Sequence, residues 1–411
     1  MSRHAIVTAA ALSVAVFAAF SFPGYIVASD WPQFRGPGAT GTGDSQDLPV
    51  SWSDDQDIAW KLDLPGRGVS SPIVVSDRVI VTASSGYRQD RLHVLCFDAR
   101  DGRKLWERQF WSTGRTMCHP KTCMAAPTPA SDGRRIFAFY STNDLFSLDL
   151  DGNLLWLRGL THDYPNASNS MGMASSPLVI GETVVVQVEN DSHSFAAGLD
   201  TRTGENRWKI PREAKPSWST PFLLPGPVLV LESWERVSGH DPASGRQLWV
   251  LEAQCNCVPS PAAAQGVIYV PSKGITALRP SPGSTAPEVV WQSARLQPAM
   301  ASPLTYDGNI YTVNGAGVLS CGDALSGELR WQLRLKGPIS SSPVAANGYI
   351  YLISEAGLAQ VVKTGEKGEI VGTSDLRETI LSTPAISGGA IYIRSDSHLW
   401  KIARTGKLIR V

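Results

Sequence analysis

Short runs in which apolar residues alternate with other residues follow one another along most of the chain. Four of them begin with Ser-Pro or Thr-Pro, namely SSPIVVSDRVIVTAS (70–84), SSPLVIGETVVVQVE (175–189), SSPVAANGYIYLIS (341–354) and STPAISGGAIYIRS (382–395). Weaker copies align at Pro127, Pro221, Pro261 and Pro303. Alternation with a period of two predicts β-strands. Eight units at spacings of 40 to 55 residues predict a propeller or a solenoid.

Each unit continues with a polar turn and then a tryptophan. The turns are DARDG (98–102), DLDG (149–152), DTRTG (200–204), DPASG (241–245) and DALSG (323–327). Because Asp and Gly supply turn chemistry, we interpret the repeated aspartates as turn residues and not as catalytic carboxylates. The tryptophans are Trp60, Trp106, Trp156, Trp208, Trp249, Trp291 and Trp331, and Val371 stands in for one in the seventh unit. We expect these tryptophans to pack between neighbouring units.

The two ends of the repeat array complement each other. Trp60 lies in DIAWKLDLPG (57–66), which has the pattern of a last strand with no preceding strands of its own. The unit that starts at Pro384 has three strands and only a poor fourth, GKLIRV (406–411). We therefore predict an all-β fold, an eight-bladed propeller of four-stranded antiparallel blades that the N-terminal strand around Trp60 closes, since closure removes exposed sheet edges.

The repeated turn glycine with a tryptophan three or four residues later resembles the pyrroloquinoline-quinone (PQQ)-type propeller repeat. This resemblance covers almost the whole chain after its N-terminal segment. The lead-in DWPQFRGPGATG (30–41) and the stretch CHPKTCMAAPTP (118–129) also resemble exported propeller proteins of planctomycete-like bacteria. The resemblance implies a propeller from residue 56 to residue 411, preceded by a lead-in segment at 29–55.

Two characterised groups of proteins share this repeat. Quinoprotein alcohol dehydrogenases are enzymes, and the propeller lipoprotein of the outer-membrane assembly machinery is a scaffold. The enzymes would imply PQQ with calcium, an aspartate base and stacking surfaces. Relative to them, this chain lacks adjacent cysteines, a CxxCH haem attachment and long insertions, and Cys255-Asn256-Cys257 is the nearest equivalent of the first. The repeat alone does not choose between these two groups. The missing enzyme features favour a non-catalytic scaffold without cofactor, with a PQQ-dependent dehydrogenase as the alternative.

Composition narrows the range of partners. The chain has 37 basic and 37 acidic residues, and this balance provides no basic surface for a phosphate backbone, so nucleic acid is not an expected partner. With 43% apolar residues, 37 glycines and 28 prolines, the chain is expected to be globular and rich in turns. We expect a monomer that binds a protein, peptide or glycan.

The N-terminus has the pattern of a secretory signal. Arg3 and His4 precede an apolar run at 5–20, and Ala28 and Ser29 are small residues suited to cleavage. We predict a signal peptide at 1–28 and a periplasmic or secreted protein without stable membrane insertion after cleavage. The alternative is an uncleaved anchor, because residues 5–28 nearly reach the ~20 apolar residues of a spanning helix.

The stretch CHPKTCMAAPTP is the most unusual in the chain. Cys118 and Cys123 could close a small disulfide loop in an oxidising compartment, which is the favoured interpretation. A zinc site with His119, Cys255 and Cys257, a reactive thiol and buried free thiols remain alternatives. Cys96 and Cys321 occupy matching third-strand positions and are expected to be buried and inert.

Irregular loops on one predicted face define a candidate binding rim over blades 1 to 4. Two successive connections between a tryptophan and the next proline, at 106–127 and 156–177, take 21 residues, whereas most others take 12 or 13. Extra length at successive blades favours function. The predicted rim residues are His119, Lys121, His162, Asp163, Tyr164, Asn166, Asn169, Glu189, Asn190, Asp191, His193, Trp234 and Arg236, with Glu232 and Glu235 in the same loops.

The chemistry of this rim stays open at the level of sequence. The loops could only cover the propeller mouth, with their polar residues hydrogen-bonded or solvated. Glu189, Asn190 and Asp191 could hold calcium, although three polar residues in a turn are a weak signal, and no metal site is predicted. A hydrolase or lyase could use His119, His162 or His193 with Asp163, but neither a Gly-x-Ser-x-Gly nor a His-Glu-x-x-His motif supports it.

Overall fold

Eight four-stranded antiparallel sheets make up the computed structural model, which describes residues 30–167 and 169–405. In seven sheets the four strands follow one another in chain order, and in the eighth the order is β1-β32-β31-β30. Helix is confined in these residues to one four-residue turn and two short 3-10 turns. This is the predicted eight-bladed propeller of four-stranded blades.

The strands of blades 1 to 4 are β2 (Ile73–Val75), β3 (Arg78–Ser85), β4 (Arg91–Asp98) and β5 (Lys104–Trp111); β6 (Ala130–Ser131), β7 (Arg135–Phe139), β8 (Asp144–Asp149) and β9 (Leu154–Gly159); β10 (Leu178–Ile180), β11 (Thr183–Val188), β12 (Phe195–Asp200) and β13 (Asn206–Pro211); β14 (Phe222–Leu224), β15 (Val228–Glu232), β16 (Arg236–His240) and β17 (Gln247–Glu252). The short helix α1 (Leu160–Asp163) follows β9, and 3-10 turns occupy Pro37–Ala39 and Tyr87–Gln89.

The strands of blades 5 to 8 are β18 (Ala262–Ala264), β19 (Val267–Ser272), β20 (Gly274–Arg279) and β21 (Glu288–Ser293); β22 (Leu304–Tyr306), β23 (Asn309–Val313), β24 (Val318–Asp323) and β25 (Leu329–Arg334); β26 (Val344–Ala346), β27 (Tyr349–Ile353), β28 (Leu358–Lys363) and β29 (Glu369–Asp375); β30 (Ala385–Ser387), β31 (Ala390–Arg394), β32 (His398–Ala403) and the N-terminal β1 (Ile58–Asp63).

Strand β1 closes the ring as predicted. It pairs antiparallel with β32, from Ile58 opposite Ile402 to Asp63 opposite His398. The indole of Trp60 then donates from Nε1 to the carbonyl oxygen of Ala99 in blade 1, at 3.3 Å. The N-terminal strand therefore belongs to the last blade and docks the first one.

The recurring tryptophans lie between blades. Six of the seven donate from the indole Nε1 to a main-chain carbonyl in a turn of the next blade; Trp106, for example, donates to Leu150 at 2.9 Å and Trp156 donates to Thr201 at 3.0 Å. The turn glycine faces the ring, because a Cβ on Gly152 would lie 2.6 Å from Trp106. Its φ of 83° also favours glycine. The repeated glycine of one blade therefore packs against the repeated tryptophan of the preceding blade.

Two blades depart from this contact. Trp249 is buried, but its Nε1 has no hydrogen-bond partner among the described residues, and blade 5 has no DxxxG turn after β20. In blade 7 the register opposite β28 puts Gly372, not Val371, at the tryptophan position. The lead-in covers this gap, since the Trp52 N–H donates to Ser374 Oγ at 2.7 Å and the Trp52 ring is buried.

The lead-in closes one end of the propeller axis. Trp31 bridges to Val74 in blade 1, and Thr42 bridges to Ala345 in blade 7. Between them, Arg35 is fully buried and donates to the carbonyl oxygens of Pro261 and Pro303, at 2.9 and 2.6 Å. Because the contacts of this segment lie on blades 1, 5, 6 and 7, residues 31–42 cross the ring, and we call this segment the plug.

Two sequence predictions fall outside the described residues. The proposed signal at 1–28 lies there, as does the segment 406–411 that the sequence suggested as a poor fourth strand. Within the described residues, none of the helices has the length and hydropathy that a membrane span requires.

Candidate functional site

The blade topology puts all inter-blade loops on one face of the ring. In each blade the connection into the inner strand and the connection between the second and third strands emerge on the same side, because the four strands are antiparallel. We call this side the top face. The plug lies across the inner strands toward the opposite side, near the turns after these strands.

A cavity of about 340 Å³ lies on the propeller axis and opens on the top face. We call it the axial cup. Two rings of side chains line it, one residue of each ring from every blade. The lower ring consists of Ser71, Thr128, Ser176, Thr220, Ser260, Ser302, Ser342 and Thr383. The upper ring, two residues earlier in each blade, consists of Val69, Ala126, Ala174, Trp218, Val258, Met300, Ser340 and Leu381.

The lower ring is a belt of hydroxyls. All eight side chains are buried. Seven of the hydroxyls accept the main-chain N–H of the ring residue in the preceding blade, at 2.9 to 3.1 Å. At the seam between blades 8 and 1, no such bond reaches Ser71 Oγ among the described residues. In seven of the eight blades, the hydroxyl that precedes the proline therefore links its blade to the preceding one.

This belt corrects the alignment of the second repeat. The sequence copy was placed at Pro127, whereas the residue in the ring is Thr128, which precedes Pro129. Thr128 Oγ1 accepts the N–H of Ser71, and β6 starts directly after Pro129. The stretch PTP contains two candidate prolines, and only the inter-blade hydrogen bond distinguishes them.

The floor of the cup comes from the plug. Phe34 lines the cavity, and the adjacent Arg35 is buried below it. Burial lowers the pKa of Arg35 to about 10, so its guanidinium is charged at neutral pH. No acidic side chain contacts Arg35 in the described structure, and its Nε has no partner.

At the mouth lie two of the predicted rim residues. His119 and Lys121 line the cup, and both are exposed. Lys121 Nζ pairs with Glu355 Oε1 at 2.6 Å. Burial acts to raise the pKa of Glu355, but hydrogen bonds from Lys121 and Ser340 outweigh it, and the net direction is downward. Blade 7, which was not in the predicted rim, therefore contributes to the mouth.

The second long loop folds back on blade 3. Tyr164 packs against Phe195, with ring centroids 4.7 Å apart, and the ammonium of Lys209 lies 4.1 Å from the Tyr164 centroid. His193 stands edge-on to Tyr164. Neither Tyr164 nor His193 lines the cup. These two predicted rim residues pack the second long loop against blade 3, away from the cup.

The predicted asparagines stabilise loop backbone. Asn169 is buried and donates from Nδ2 to the carbonyl oxygen of Ser141, at 2.8 Å. Asn190 Oδ1 accepts the N–H of Ser192 at 2.8 Å. The carbonyl oxygen of Asn166 accepts the N–H of His193. These asparagines therefore stabilise the conformation of the top-face loops.

The predicted acidic cluster does not have the geometry of a cation site. Glu189 is buried and pairs with Arg212 Nε at 2.7 Å. Asp191 is exposed and accepts a hydrogen bond from Ser170 at 3.1 Å. Among the described residues, no group of three or more His, Cys, Asp or Glu side chains is arranged to hold a metal. The carboxylate of Glu189 is already neutralised by an arginine.

Trp234 and Arg236 have different environments. The Trp234 side chain is 41% exposed on the top face, and its Nε1 donates to the carbonyl oxygen of Pro216. Arg236 pairs with Glu213 and Glu252. Trp234 is thus an exposed aromatic surface, whereas Arg236 cross-links its own loops.

Glu232 is a buried acid beneath this loop. Burial raises the pKa of its carboxyl well above the usual range, and the nearby Glu189 raises it further against the lowering effect of a hydrogen bond from Ser219. A carboxyl with a raised folded pKa stabilises the protein below its unfolded pKa of about 4.3, and this contribution is lost as pH rises through the folded pKa.

We therefore expect Glu232→Gln to stabilise the protein, with a gain that grows from about pH 5 to pH 8 and exceeds about 1 kcal/mol at the upper end. Denaturant unfolding at several pH values measures it. Glu235→Gln, at an exposed neighbour, is the control and should change little. A gain that is independent of pH would contradict a protonated Glu232.

The structure corrects the disulfide prediction. Cys118 and Cys123 are free, as are the other four cysteines. The Cys118 thiol contacts the carbonyl oxygen of Thr122 at 3.7 Å, whereas Cys123 is fully buried in the core between blades 1 and 2. Burial raises the pKa of the Cys96 thiol to about 12 and that of Cys321 to about 11, so both are inert as expected.

The predicted acid–base groups do not come together. Asp163 pairs with Arg158 at 2.6 Å, and no hydrogen bond joins it to His119, His162 or His193 in the described structure. His162 is exposed on α1 and does not line the cup. The histidines and the aspartate that a hydrolase would need are therefore not paired.

The cup also does not fit PQQ with calcium. Calcium needs carboxylate and amide oxygens, and the residues that line the cup include no Asp, Glu, Asn or Gln. Cys255 and Cys257 are buried in the loop before blade 5 and do not line the cavity. The side chains that could hold the ion and the base are thus absent from the axial lining.

Half of the twelve large apolar side chains that are exposed in the described chain lie on the top face. Among the large apolar residues exposed in the described chain, six lie in top-face loops or at the top end of a strand: Tyr87, Trp111, Met117, Met171, Trp234 and Met300. We call these six the apolar rim. On the opposite face, the exposed turn residue of this type is Leu325. The remaining five, Leu154, Leu155, Leu157, Val289 and Val371, lie on the outermost strands of their blades. The top-face loops therefore carry more exposed apolar side chains than the turns of the opposite face.

Several site residues were not identified from the sequence. The Ser or Thr before each repeated proline is a sequence signal for the hydroxyl belt, but the repeat pattern alone does not show that these side chains meet on the axis. Trp218 and Met300 stand at the same offset from their prolines as Val69, so a comparison of units could have found them. Phe34 and Arg35 carry no repeat signal, since the lead-in occurs once.

Comparison with known proteins agrees with this architecture. A family model described as outer membrane protein assembly factor BamB matches residues 42–250, 196–288 and 284–367. No curated protein shows significant sequence similarity to the chain.

Solved structures share the fold at low identity. BamB from Moraxella catarrhalis aligns with a TM-score of 0.62 and 14% identity, over 86% of this chain and 98% of that one. A europium-containing methanol dehydrogenase aligns at 0.69 and 14%, over 90% of each chain. The quinohemoprotein alcohol dehydrogenase from Comamonas testosteroni aligns at 0.67 and 13%, over 93% of this chain and 82% of that one. At these identities the likeness shows the fold alone.

Proposed function

Because the chain belongs to the family of PQQ-like propeller repeat proteins described as outer membrane protein assembly factor BamB, we propose that it is a non-catalytic scaffold that binds a protein partner through its top face. The apolar rim is the observation that carries this proposal. Large apolar side chains exposed on one face of a folded protein favour an interaction surface there, and Trp, Tyr and Met are enriched at the centres of protein interfaces. The plug leaves the top face as the open side of the ring.

The kind of partner follows from the side chains of the rim. Three of the six are methionines, whose flexible thioethers adapt to apolar protein surfaces. A glycan would need several exposed polar groups at the same place, but the predicted polar residues are mostly engaged with their own loops. The rim therefore favours a protein or peptide over a glycan.

The signal-like N-terminus and the family description agree with export, so we place the protein in the periplasm or outside the cell, as a monomer. The dehydrogenase alternative is disfavoured by the lining of the cup, which offers no carboxylate for calcium or for a base. Saturable binding of PQQ and calcium to the purified protein, with dye-linked alcohol oxidation, would reverse this choice.

The proposal is tested by changing Met117, Met171 and Met300 together to glutamine. These side chains are exposed, so stability should stay within about 0.5 kcal/mol per site. Affinity for the partner should fall by roughly 30-fold or more, because apolar contacts at an interface centre dominate its energy. The partner is identified first by photo-cross-linking from position 300, and its binding is then measured by calorimetry with purified components.

The matched control changes Leu325 and Val289 to glutamine, since these exposed apolar residues lie away from the top face. This control should bind as the unchanged protein does. Equal losses in both variants, or cross-links that form equally from positions 300 and 325, would contradict a top-face interface.

A further inference from the structure

We propose that the axial cup binds a carboxylate that carries an apolar group, with the carboxylate on the hydroxyl belt and the apolar group against the upper ring. The occupant is a small organic acid or the C-terminus of a peptide. This inference goes beyond the proposed scaffold function, because it rests on the hydroxyl belt and the buried arginines, which the scaffold proposal does not use.

The hydroxyl belt supplies the donors. Each Ser or Thr hydroxyl can donate one hydrogen bond and accept two. Seven of the eight accept a main-chain N–H, yet none of the eight donates to a protein acceptor in the described structure. Eight O–H groups therefore converge on the axis without a protein acceptor. A hydroxyl that accepts an N–H is also a better donor, because hydrogen bonds in a chain polarise one another.

The charge of the surroundings selects an anion. No acidic side chain lines the cup. Arg35 lies under the floor, and the two carbonyls that it contacts belong to Pro261 and Pro303, which directly follow the belt residues Ser260 and Ser302.

A second fully buried arginine, Arg394, donates to Ser70 Oγ at 3.2 Å, next to the belt residue Ser71. Nη2 of Arg394 and Nε of Arg35 are buried and have no hydrogen-bond partner within residues 30–167 and 169–405. A buried cation without a carboxylate partner is stabilised by a nearby anion, so these arginines favour an ionised ligand.

The upper ring selects the rest of the ligand. Seven of its eight residues are apolar, and Trp218 and Met300 are the largest. The two rings are two residues apart in each blade, which allows a separation of up to about 7 Å in an extended chain, so the apolar ring stands about one ligand segment above the belt. The cavity volume of about 340 Å³ lies in the range of sites for small molecules. An acid with a short apolar chain matches both rings.

The probe is hexanoate, with hexanamide as its neutral counterpart, titrated by calorimetry into the purified protein. We expect saturable binding of hexanoate and at least about tenfold weaker binding of hexanamide, because hydrogen bonds to a charged acceptor are stronger than those to a neutral one. Two tripeptides, Ala-Ala-Leu with a free and with an amidated C-terminus, distinguish the sources. Tighter binding of the free peptide than of hexanoate assigns the cup to a peptide end, and the reverse assigns it to a free acid.

Ser71→Ala removes one belt hydroxyl without breaking an inter-blade hydrogen bond, because Ser71 Oγ accepts no N–H from a neighbouring blade among the described residues. It should weaken hexanoate binding about tenfold. Ser320→Ala is the control, because Ser320 is a buried serine that accepts from Gln332 at 3.0 Å and does not line the cup. It should leave binding unchanged.

A second pair of variants tests the proposal independently, in case Ser71→Ala does not fold. Met300 is exposed, so both Met300→Glu and Met300→Gln should fold. The glutamate should weaken hexanoate binding by about tenfold more than the glutamine does, since it places a like charge at the upper ring. Equal binding of hexanoate and hexanamide, or no binding of hexanoate and of both peptides at millimolar concentration, would overturn the proposal.

Discussion

Replacing β1 (Ile58–Asp63) with a Gly-Ser segment of equal length should lower the melting temperature by roughly 10 °C or more and produce oligomers. The replacement removes the pairing with β32 and the packing of Ile58, Trp60 and Leu62 on the core shared by blades 7, 8 and 1. Each large-to-small change of this kind costs about 2–5 kcal/mol at well-buried sites, and less where burial is partial. Differential scanning calorimetry and size-exclusion chromatography measure the two effects.

The matched control replaces β29 (Glu369–Asp375) in the same way. This strand is also the outermost of its blade, but the ring stays closed around it because blade 7 remains covalently linked on both sides. The β29 variant should lose less stability and stay monomeric. If both variants melt alike and neither self-associates, the strand at the N-terminus does not have the special role that closure gives it.

Trp208→Ala should cost about 3–5 kcal/mol, because it removes a large buried ring from the contact between blades 3 and 4. Trp208 is 7% exposed, and its Nε1 donates to the carbonyl oxygen of Pro242 at 2.9 Å. Trp208→Phe keeps most of the apolar area and loses the hydrogen bond, so it should cost less than the alanine variant. Equilibrium denaturant unfolding provides the free energies.

Two further variants distinguish the loss of the contact between the tryptophan and the turn from the loss of an indole ring alone. Trp111→Ala removes a tryptophan that is 64% exposed and docks no turn, and it should change stability by about 0.5 kcal/mol or less. Gly245→Ala should resemble Trp208→Ala in direction, because the added Cβ would lie 2.7 Å from Trp208 and the φ of 71° disfavours alanine. A harmless Gly245→Ala would argue against a shared contact of turn and ring.

Much of the architecture was predictable from local patterns. Period-two alternation, Asp-and-Gly turns and a recurring tryptophan are short-range signals, and their recurrence in most of the eight units makes them reinforce one another. The pairing of β1 with β32 was also predictable, because a lone last-strand pattern and an incomplete last unit can satisfy each other. The repeat was misread only where a copy was degenerate, at Pro127 and at Val371, where neighbouring residues fit the pattern equally well.

The candidate site was much less predictable. Loop length predicted a binding rim on the top face, which stays a prediction, and of its residues His119 and Lys121 line the cup. Most other predicted rim residues have their polar groups paired within the protein. Asn169 donates to the carbonyl oxygen of Ser141, and Glu189 pairs with Arg212. Their partners lie 28 and 23 residues away along the chain, so the sequence could not show that these polar groups were already satisfied.

By itself, the sequence determined the number of blades and the inter-blade tryptophans, because these follow from a pattern that repeats along the chain. It also determined the closure, because the lone strand at one end matches the incomplete unit at the other. Only the tertiary structure decided what lies on the axis. The hydroxyl belt exists because eight residues from eight blades meet there, and the plug closes it because Trp31 and Thr42 bridge to blades 1 and 7. A cavity is a property of residues distant in sequence, and its charge depends on a buried arginine whose partners are the carbonyls of Pro261 and Pro303.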